Sequence, residues 1–263
     1  MAELAEPRPR LLAAAAGMMI MLSAAAAGAS EAALREEPLA IAEVLAGDLL
    51  RLADGRAVRL AGIRVAAESA GERSAERLAE EARATLRSLL DGQMVTLAPA
   101  EVPYDRYGRL VGHLERADGV WLQGALLERG LAQVQTRPGE AARAGEMLAI
   151  EHGARAARRG LWSEPAFMAL DAATIDHSTG RFRIVRGRVL RVAPTERHLY
   201  LNFGADWHAD FTVRVRRAVL NGALAGVDLE ALAGRVVEVR GVVLEAGGPL
   251  IELSHPEQLQ VLP

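Results

Sequence analysis

The side chains of this sequence that could do chemistry are mainly arginines and carboxylates, and several lie in short glycine-containing segments. These segments are Gly47-Asp48, Arg59–Ile63 and Asp105–Arg109. A guanidinium group can grip a phosphate or a carboxylate through paired hydrogen bonds. Because the formal net charge is only -3, the chain has no overall positive field, so phosphate binding would need a local arginine cluster. The alternative for each arginine is a surface ion pair, and for Asp48 an ordinary turn position.

The absence of cysteine excludes several other kinds of site. With no cysteine in the 263 residues, disulfides, thiolate metal sites and thiol nucleophiles are impossible. A hydrophobic fraction of 51% with 25% charged residues is typical of a globular protein with a packed core. The length and composition therefore predict two small domains.

The N-terminus has the layout of an export signal. Arg8 and Arg10 precede an uncharged run from Leu11 to Ser30, which ends in Ala27-Gly28-Ala29. A basic start, an apolar stretch and a small-residue site are typical of a cleaved signal peptide, here residues 1–30. The expected location is then the periplasm or the exterior. The alternative is an inner-membrane anchor formed by residues 11–30, since about 20 apolar residues span a bilayer.

The elements that must position the first group of side chains follow in a regular order. Alternating apolar residues predict three short strands, with Asp54-Gly55 as a hairpin turn. Leu78, Ala82, Leu86 and Leu90 have helical spacing, with Ser74 placed as N-cap. The predicted elements are strands 41–44, 49–52 and 57–63, a helix 74–90, strands 94–97 and 110–114, and helices 122–129 and 140–159. Five strands with a helix between the third and fourth predict an OB-type barrel, here with three helices, over residues 39–163.

A second β-rich region follows the stretch from Ser163 to Gly180. The predicted strands are 182–192, 199–203, 211–215, 236–243 and 250–253, with a helix at 218–232. Gly247-Gly248 predicts a hairpin between the last two strands. The fold class is therefore mainly β with helices, an OB-fold followed by a second OB-like barrel over residues 180–263.

Four motifs together resemble the staphylococcal nuclease (thermonuclease) family over about residues 40–163. They are Gly47-Asp48, Arg59–Ile63, Asp105–Arg109, and Leu126–Val134 with the later Arg158–Trp162. The resemblance implies a calcium-dependent phosphodiester hydrolase, with two carboxylates holding the metal, a glutamate handling the water and two arginines gripping the phosphate. On this resemblance Asp48 is a metal ligand, and Arg59 and Arg109 are the catalytic phosphate clamps. Tyr107 lies beside Arg109 as a candidate substrate contact.

Two departures from the family pattern stand at the centre of this site. Arg64 occupies the position of the second acidic ligand, and Ala67 that of the catalytic glutamate, with Glu68 the nearest substitute base. A cation at Arg64 would repel a divalent ion, so calcium is a doubtful cofactor. Thr136 and Pro138 replace the aromatic residues that would stack on bases. The expected function is a degenerate nuclease that binds nucleic acid or another polyanion through Arg59, Arg64 and Arg109.

Two other functions stay open at this stage. One is an active metal-dependent endonuclease that uses Asp48 and Glu68, and the other is a structural or protein-interaction module of the cell envelope. Protein partners are unknown, and membrane contact is expected only through an uncleaved N-terminal segment. In the C-terminal region, Asp206, His208 and Asp210 alternate as a weak candidate metal site. The surrounding stretch, 200–211, resembles a tail domain of alphaproteobacterial thermonuclease-like proteins, a resemblance that implies no activity.

Overall fold

A computed structural model describes residues 38–66, 73–175, 179–206 and 208–263. The predicted leader 1–30 therefore lies outside the described residues, as do Ala67 and Glu68. Within the described ranges, no helix is long and apolar enough to cross a bilayer.

The first unit is a closed five-stranded barrel flanked by helices, as predicted. Its strands run in the order β1-β2-β3-β6-β5, and all neighbours are antiparallel except β3 and β6. Two register shifts in β1 bend that strand, which helps the sheet to close. The elements are β1 (Leu39–Ala46), β2 (Leu49–Leu52), β3 (Ala57–Leu60), β4 (Ile63–Val65), α1 (Arg73–Leu90), β5 (Met94–Tyr104), β6 (Leu110–Arg116), α2 (Leu122–Glu128), β7 (Ala132–Val134) and α3 (Ala144–Ala156).

Helix α1 covers the barrel with the face that its apolar spacing predicts. Its buried residues are Ala75, Leu78, Ala79, Ala82, Leu86 and Leu90. Glu76 in the first turn and Arg87 in the last turn complement the helix dipole. The helix ends where Gly92 takes φ 63°, a conformation that glycine adopts without strain.

The predicted third strand, 57–63, is in fact two strands separated by a turn. Gly62 has φ 73°, so the chain leaves the barrel at this residue, and β4 pairs with β7 instead of continuing β3. A side chain at Gly62 would meet the methyl group of Met147 at 2.4 Å. Glycine at position 62 is therefore favoured mainly by the backbone conformation, because the end of the flexible Met147 side chain can shift. The resulting β4–β7 ribbon places Arg64 beside the barrel.

Gly130 and Gly160 bring two distant motifs into backbone contact. Gly160 has φ 51°, and an added Cβ there would meet the Gly130 carbonyl oxygen at 2.4 Å. The Gly130 carbonyl accepts the Leu161 N–H at 2.8 Å. Trp162, the residue after Leu161, is fully buried. The Gly-Leu-Ala helix end and the Gly-Leu-Trp segment are thus two parts of one packing arrangement.

The second unit is a curled sheet whose strand order repeats that of the barrel. Its path is β10-β11-β12-β14-β13-β9-β8, and β12 and β14 are parallel. Only Val189 and Leu190 separate β9 from β10, so the first strand of the path and its last but one form one bent stretch of chain. The elements are β8 (Leu170–Asp171), β9 (Phe182–Arg188), β10 (Arg191–Pro194), β11 (His198–Asn202), β12 (Thr212–Arg216), α4 (Arg217–Leu220), β13 (Val236–Ala246), β14 (Gly248–Leu253) and β15 (Leu259–Val261).

Two local predictions for the second unit have different outcomes. The hairpin at Gly247-Gly248 is present, with Gly247 at φ 90° between β13 and β14. The predicted helix over 218–232 is wrong. The chain forms only the four-residue α4 and a short 3₁₀ turn at Glu230–Leu232, because Gly222 and Gly226 interrupt the segment and Gly226 takes φ 91°.

A buried ionic network joins the two units. Arg240 of β13 donates to the Glu151 carboxylate of α3 at 2.8 Å and to the Val134 carbonyl oxygen at 3.1 Å. Arg155 of α3 reaches back with two bonds to Glu238, at 2.7 and 2.9 Å. Arg240, Glu151 and Glu238 are each at most 2% exposed. Since every charge has a partner of opposite sign, the network fixes how the units pack.

Candidate functional site

Asp48 lies in the turn between β1 and β2, in a half-buried position surrounded by arginines. Burial raises the pKa of its carboxyl group above the ordinary value, while the charges of Arg59, Arg109 and Arg137 act in the opposite direction. Its backbone carbonyl accepts the Leu60 N–H at 2.9 Å, which ties the turn to the end of β3. Asp48 therefore sits where the resemblance places a metal ligand, among positive charges.

Arg59 is engaged by a carboxylate that the sequence motifs did not reveal. Its guanidinium makes a two-point contact with Glu140, one bond being 3.2 Å long, and its Nε lies 3.6 Å from an Asp105 oxygen. Glu140 also accepts the Gly62 N–H at 3.2 Å. Arg59 and Glu140 are 5% and 6% exposed. The expected phosphate clamp is thus occupied by an internal anion of similar geometry.

The β5–β6 loop holds Arg109 and Tyr107 around Asp105. Asp105 accepts the Arg109 Nε–H at 2.7 Å and the backbone N–H groups of Tyr107 and Arg109 at 2.9 and 3.1 Å. Burial opposes the charged form of Asp105, but these hydrogen bonds keep the pKa of its carboxyl below the ordinary value. Tyr107 is 64% exposed, and the guanidinium groups of Arg106 and Arg109 lie 4.7 and 4.9 Å from its ring centre. The loop therefore presents a cationic, aromatic surface.

Arg64 faces the second unit. Its guanidinium lies 5.0 Å from the centre of the Phe182 ring of β9, a cation–π arrangement. Burial lowers the pKa of Arg64, Asp48 opposes that shift, and Arg183 and Arg137 add to it. Arg59 and Arg109 thus contact carboxylates, whereas Arg64 lies over an aromatic ring with like charges nearby.

Arg137 is a site residue that sequence reasoning missed. It lies in the loop after β7, between Thr136 and Pro138, and its Nη1 is 3.7 Å from a Glu140 oxygen. Its position between the two residues that replaced the aromatics was the only signal in the sequence. Within the described part of the chain, the site joins five guanidinium groups to three carboxylates, which leaves two positive charges when all are ionised. The members are Arg59, Arg64, Arg109, Arg137 and Arg183 with Asp48, Asp105 and Glu140.

Among the described residues, the donor set does not fit calcium. Calcium takes six to eight oxygen ligands, among them several carboxylates. In the described parts of the chain no group of three or more histidine, aspartate or glutamate side chains is arranged to hold a metal ion. Asp105 and Glu140 are committed to arginines, and Asp48 stands among guanidinium groups. The expected base Glu68 lies outside the described residues.

The weaker candidate in the second unit is a turn. Asp206 accepts the His208 N–H at 3.0 Å, and Asp210 accepts the Asp206 N–H at 2.7 Å. These carboxylates stabilise the backbone of their own loop, as aspartates in turns commonly do.

A cleft of about 920 Å³ lies between the units, next to Asp48 and Arg64. Its first wall comes from the barrel and includes Asp48, Arg64 and Arg83. Its second wall comes from the start of β9 and the residue before it, and includes Arg181, Phe182 and Arg183. Phe167 and Met168, from the connection between the units, add an apolar patch. The cleft therefore combines positive charge with apolar surface.

The strand order defines a closed five-stranded barrel of the OB type, with an arginine cluster at the ends of β3 and β6. Residues 57–164 match the family model described as staphylococcal nuclease homologue, and this part of the chain is a staphylococcal nuclease-like domain. Arg59, Arg64 and Arg109 fall within the match, whereas Asp48 precedes it. The match ends before the second unit, so the resemblance of 200–211 to a known tail domain stays a prediction. A search of curated proteins finds no significant match to the chain.

Proposed function

We propose that this nuclease-like protein binds single-stranded nucleic acid or a similar polyanion without cleaving it efficiently. The observation that carries the proposal is the set of guanidinium groups around Asp48, the position where the family resemblance implies a metal ligand. Asp48, the carboxylate around which a metal would have to be bound, acts electrostatically on the nearby Arg64. The net positive charge of the site suits a phosphate chain, which neutralises it.

Electrostatic repulsion between the arginines and a divalent metal ion opposes cleavage at this site. At a separation of about 4 Å and an effective dielectric of about 20, like unit charges repel by about 4 kcal/mol, and a divalent ion doubles this figure. A single half-buried carboxylate offsets only part of that repulsion. Without the metal, the attacking water loses its activation and the leaving oxygen its charge stabilisation. Binding does not have this requirement, because guanidinium groups grip phosphate directly.

The binding test uses purified protein and a fluorescent 12-nucleotide oligothymidylate, with anisotropy measured over a salt series. We expect binding that weakens with salt and is lowered by Arg64→Ala. The control, Arg191→Ala, removes the same charge from an exposed position on β10, outside the cleft. An affinity that is unmeasurable even at low salt would overturn the proposal and favour the envelope-interaction alternative.

Cleavage is tested on the same oligonucleotide with calcium. The parent protein should leave it intact over hours, whereas Arg64→Asp combined with Ala67→Glu restores the two acidic positions of the family pattern. Gain of calcium-dependent cleavage by the double variant would support a silenced site. If the parent already digests the oligonucleotide and Arg59→Ala abolishes this activity, the protein is an active endonuclease and the proposal is wrong.

Export is part of the proposal, with the leader pattern of residues 1–30 as its support. Expressed in full, the protein should be recovered from the periplasm, with an N-terminal residue close to Ser30. Recovery in the membrane fraction with Met1 still attached would instead support anchoring by residues 11–30.

A further inference from the structure

We infer that the cleft between the two units is one nucleotide-binding site, and that strand β9 of the second unit supplies its second wall to a single strand of nucleic acid. The inference rests on the proposed function and adds the residues of the second unit to it. Its ligand is a short stretch of single strand, with phosphates between Arg64 and Arg183 and a base against Phe167 and Met168.

First, the cleft holds like charges close to Arg64. Burial disfavours the charged form of Arg64, the Asp48 carboxylate offsets part of this effect, and the charges of Arg183 and Arg137 add to it. Holding guanidinium groups near one another in a half-buried cleft costs free energy. An anion bound between them removes that cost, so a phosphate on the line from Arg64 to Arg183 would gain from both walls at once.

The second step is the geometry of β9. Arg181, just before β9, and Phe182 and Arg183 at its start all line the cleft. Phe182 is 7% exposed and lies under Arg64, which fixes the height of the Arg64 guanidinium in the cleft. The second unit therefore both supports Arg64 and contributes its own arginines.

The third step is the apolar part of the cleft. Met168 is 41% exposed and Phe167 is half-buried, and both line the same space as the arginines. An inorganic anion would gain no binding free energy from contact with this apolar surface. A nucleotide carries a phosphate and a flat base on one molecule, and the base can stack on an aromatic ring.

The fourth step is size. A volume of about 920 Å³ lies near the top of the range of about 300–1,000 Å³ for small-molecule sites. One or two nucleotides fit such a space. Because Arg240 and Glu151 tie the units together at 2.8 Å, the walls cannot separate to admit a duplex without breaking a buried ion pair.

The test measures oligothymidylate binding by Arg183→Ala beside Arg191→Ala, a matched loss of charge on the neighbouring strand β10. For single strands, each phosphate contact contributes about 0.7 to the slope of log K against log salt. Arg183→Ala should therefore weaken binding and reduce the slope by about 0.7, whereas Arg191→Ala should change neither. Thermal melting of each variant confirms that the fold is retained.

A second variant tests the base contact without removing charge. Phe167→Leu keeps apolar volume but removes the ring, so it should lower affinity for oligothymidylate about five-fold or more. Affinity for an abasic strand of the same length should be unchanged. An equal loss on both strands would contradict base stacking in the cleft.

The outcomes separate this inference from the proposed function. If Arg64→Ala weakens binding but Arg183→Ala behaves like Arg191→Ala, the barrel binds the strand alone and the inference falls. If the parent protein binds no oligonucleotide, the proposed function falls with it. Equal competition by a 12-base-pair duplex, or Arg183-dependent binding to phosphatidylglycerol vesicles without oligonucleotide binding, would also overturn the inference.

Discussion

The contact between Arg59 and Glu140 allows a sharp experiment, because Glu140 holds the guanidinium that the fold offers to a phosphate. The substitution Glu140→Gln keeps the shape of the side chain and removes its charge. Removing one partner of a buried ion pair costs about 3 to 5 kcal/mol. Since Asp105 still lies 3.6 Å from Arg59, we expect a loss of stability near the lower end, about 3 kcal/mol.

The same substitution should create a response to phosphate. With its internal carboxylate neutralised, Arg59 becomes available to an external anion. A ligand that binds only the folded protein adds about 2.7 kcal/mol of stability at a hundred times its Kd. The parent protein should gain much less, because Glu140 already fills the position. Urea unfolding with and without inorganic phosphate measures both effects.

Glu146→Gln is the matched control. It removes an exposed carboxylate paired with Arg143, and exposed pairs contribute about 1 kcal/mol or less. If Glu140→Gln costs no more than this control, or if phosphate stabilises the parent and the variant equally, then Glu140 does not occupy an anion site and the reasoning is refuted.

Three further predictions concern stability. Burial lowers the pKa of His113 from 6.5 to about 4, so the unfolded chain binds the proton more readily than the folded protein. The free energy of unfolding should therefore fall by about 3 kcal/mol as pH drops from about 6.5 through 4. His113→Asn should flatten this part of the profile of unfolding free energy against pH. Arg240→Met should cost about 3 to 5 kcal/mol in urea unfolding by leaving Glu151 without its ion-pair partner, and Glu151→Leu in the same chain should recover much of that loss. Gly160→Ala should lower stability more than Gly180→Ala, because both positions have positive φ but only the first lacks space for a Cβ; equal melting temperatures would contradict this.

The barrel itself could be predicted from local patterns. Asp54-Gly55 marks a hairpin, and the spacing of Leu78, Ala82 and Leu86 marks a helix face that is buried as expected. Two features of the fold were not predicted correctly, because their causes are not local. The β4–β7 ribbon has only three residues in each strand, too few for alternation to be visible. The predicted helix at 140–159 begins only at Ala144, after Glu140 has turned inward to reach Arg59.

The candidate site was predictable residue by residue but not as a set of contacts. The family motifs indicate Asp48, Arg59, Arg64 and Arg109, and the barrel places these positions in one region. Glu140 lies 81 positions from Arg59 and belongs to no recognised motif. Phe182 belongs to the other unit. Whether an arginine is available or already paired depends on such long-range contacts, which only the folded chain provides.

The buried ion pairs between α3 and β13 have a consequence for whether the two units can be separated by gene shuffling. Any shuffling event that delivered the barrel alone would separate Glu151 from Arg240, and one that delivered the curled sheet alone would separate Glu238 from Arg155. Selection on folding would then act against both products, whatever each half could bind. Proteins descended from this chain are expected to keep the two units together.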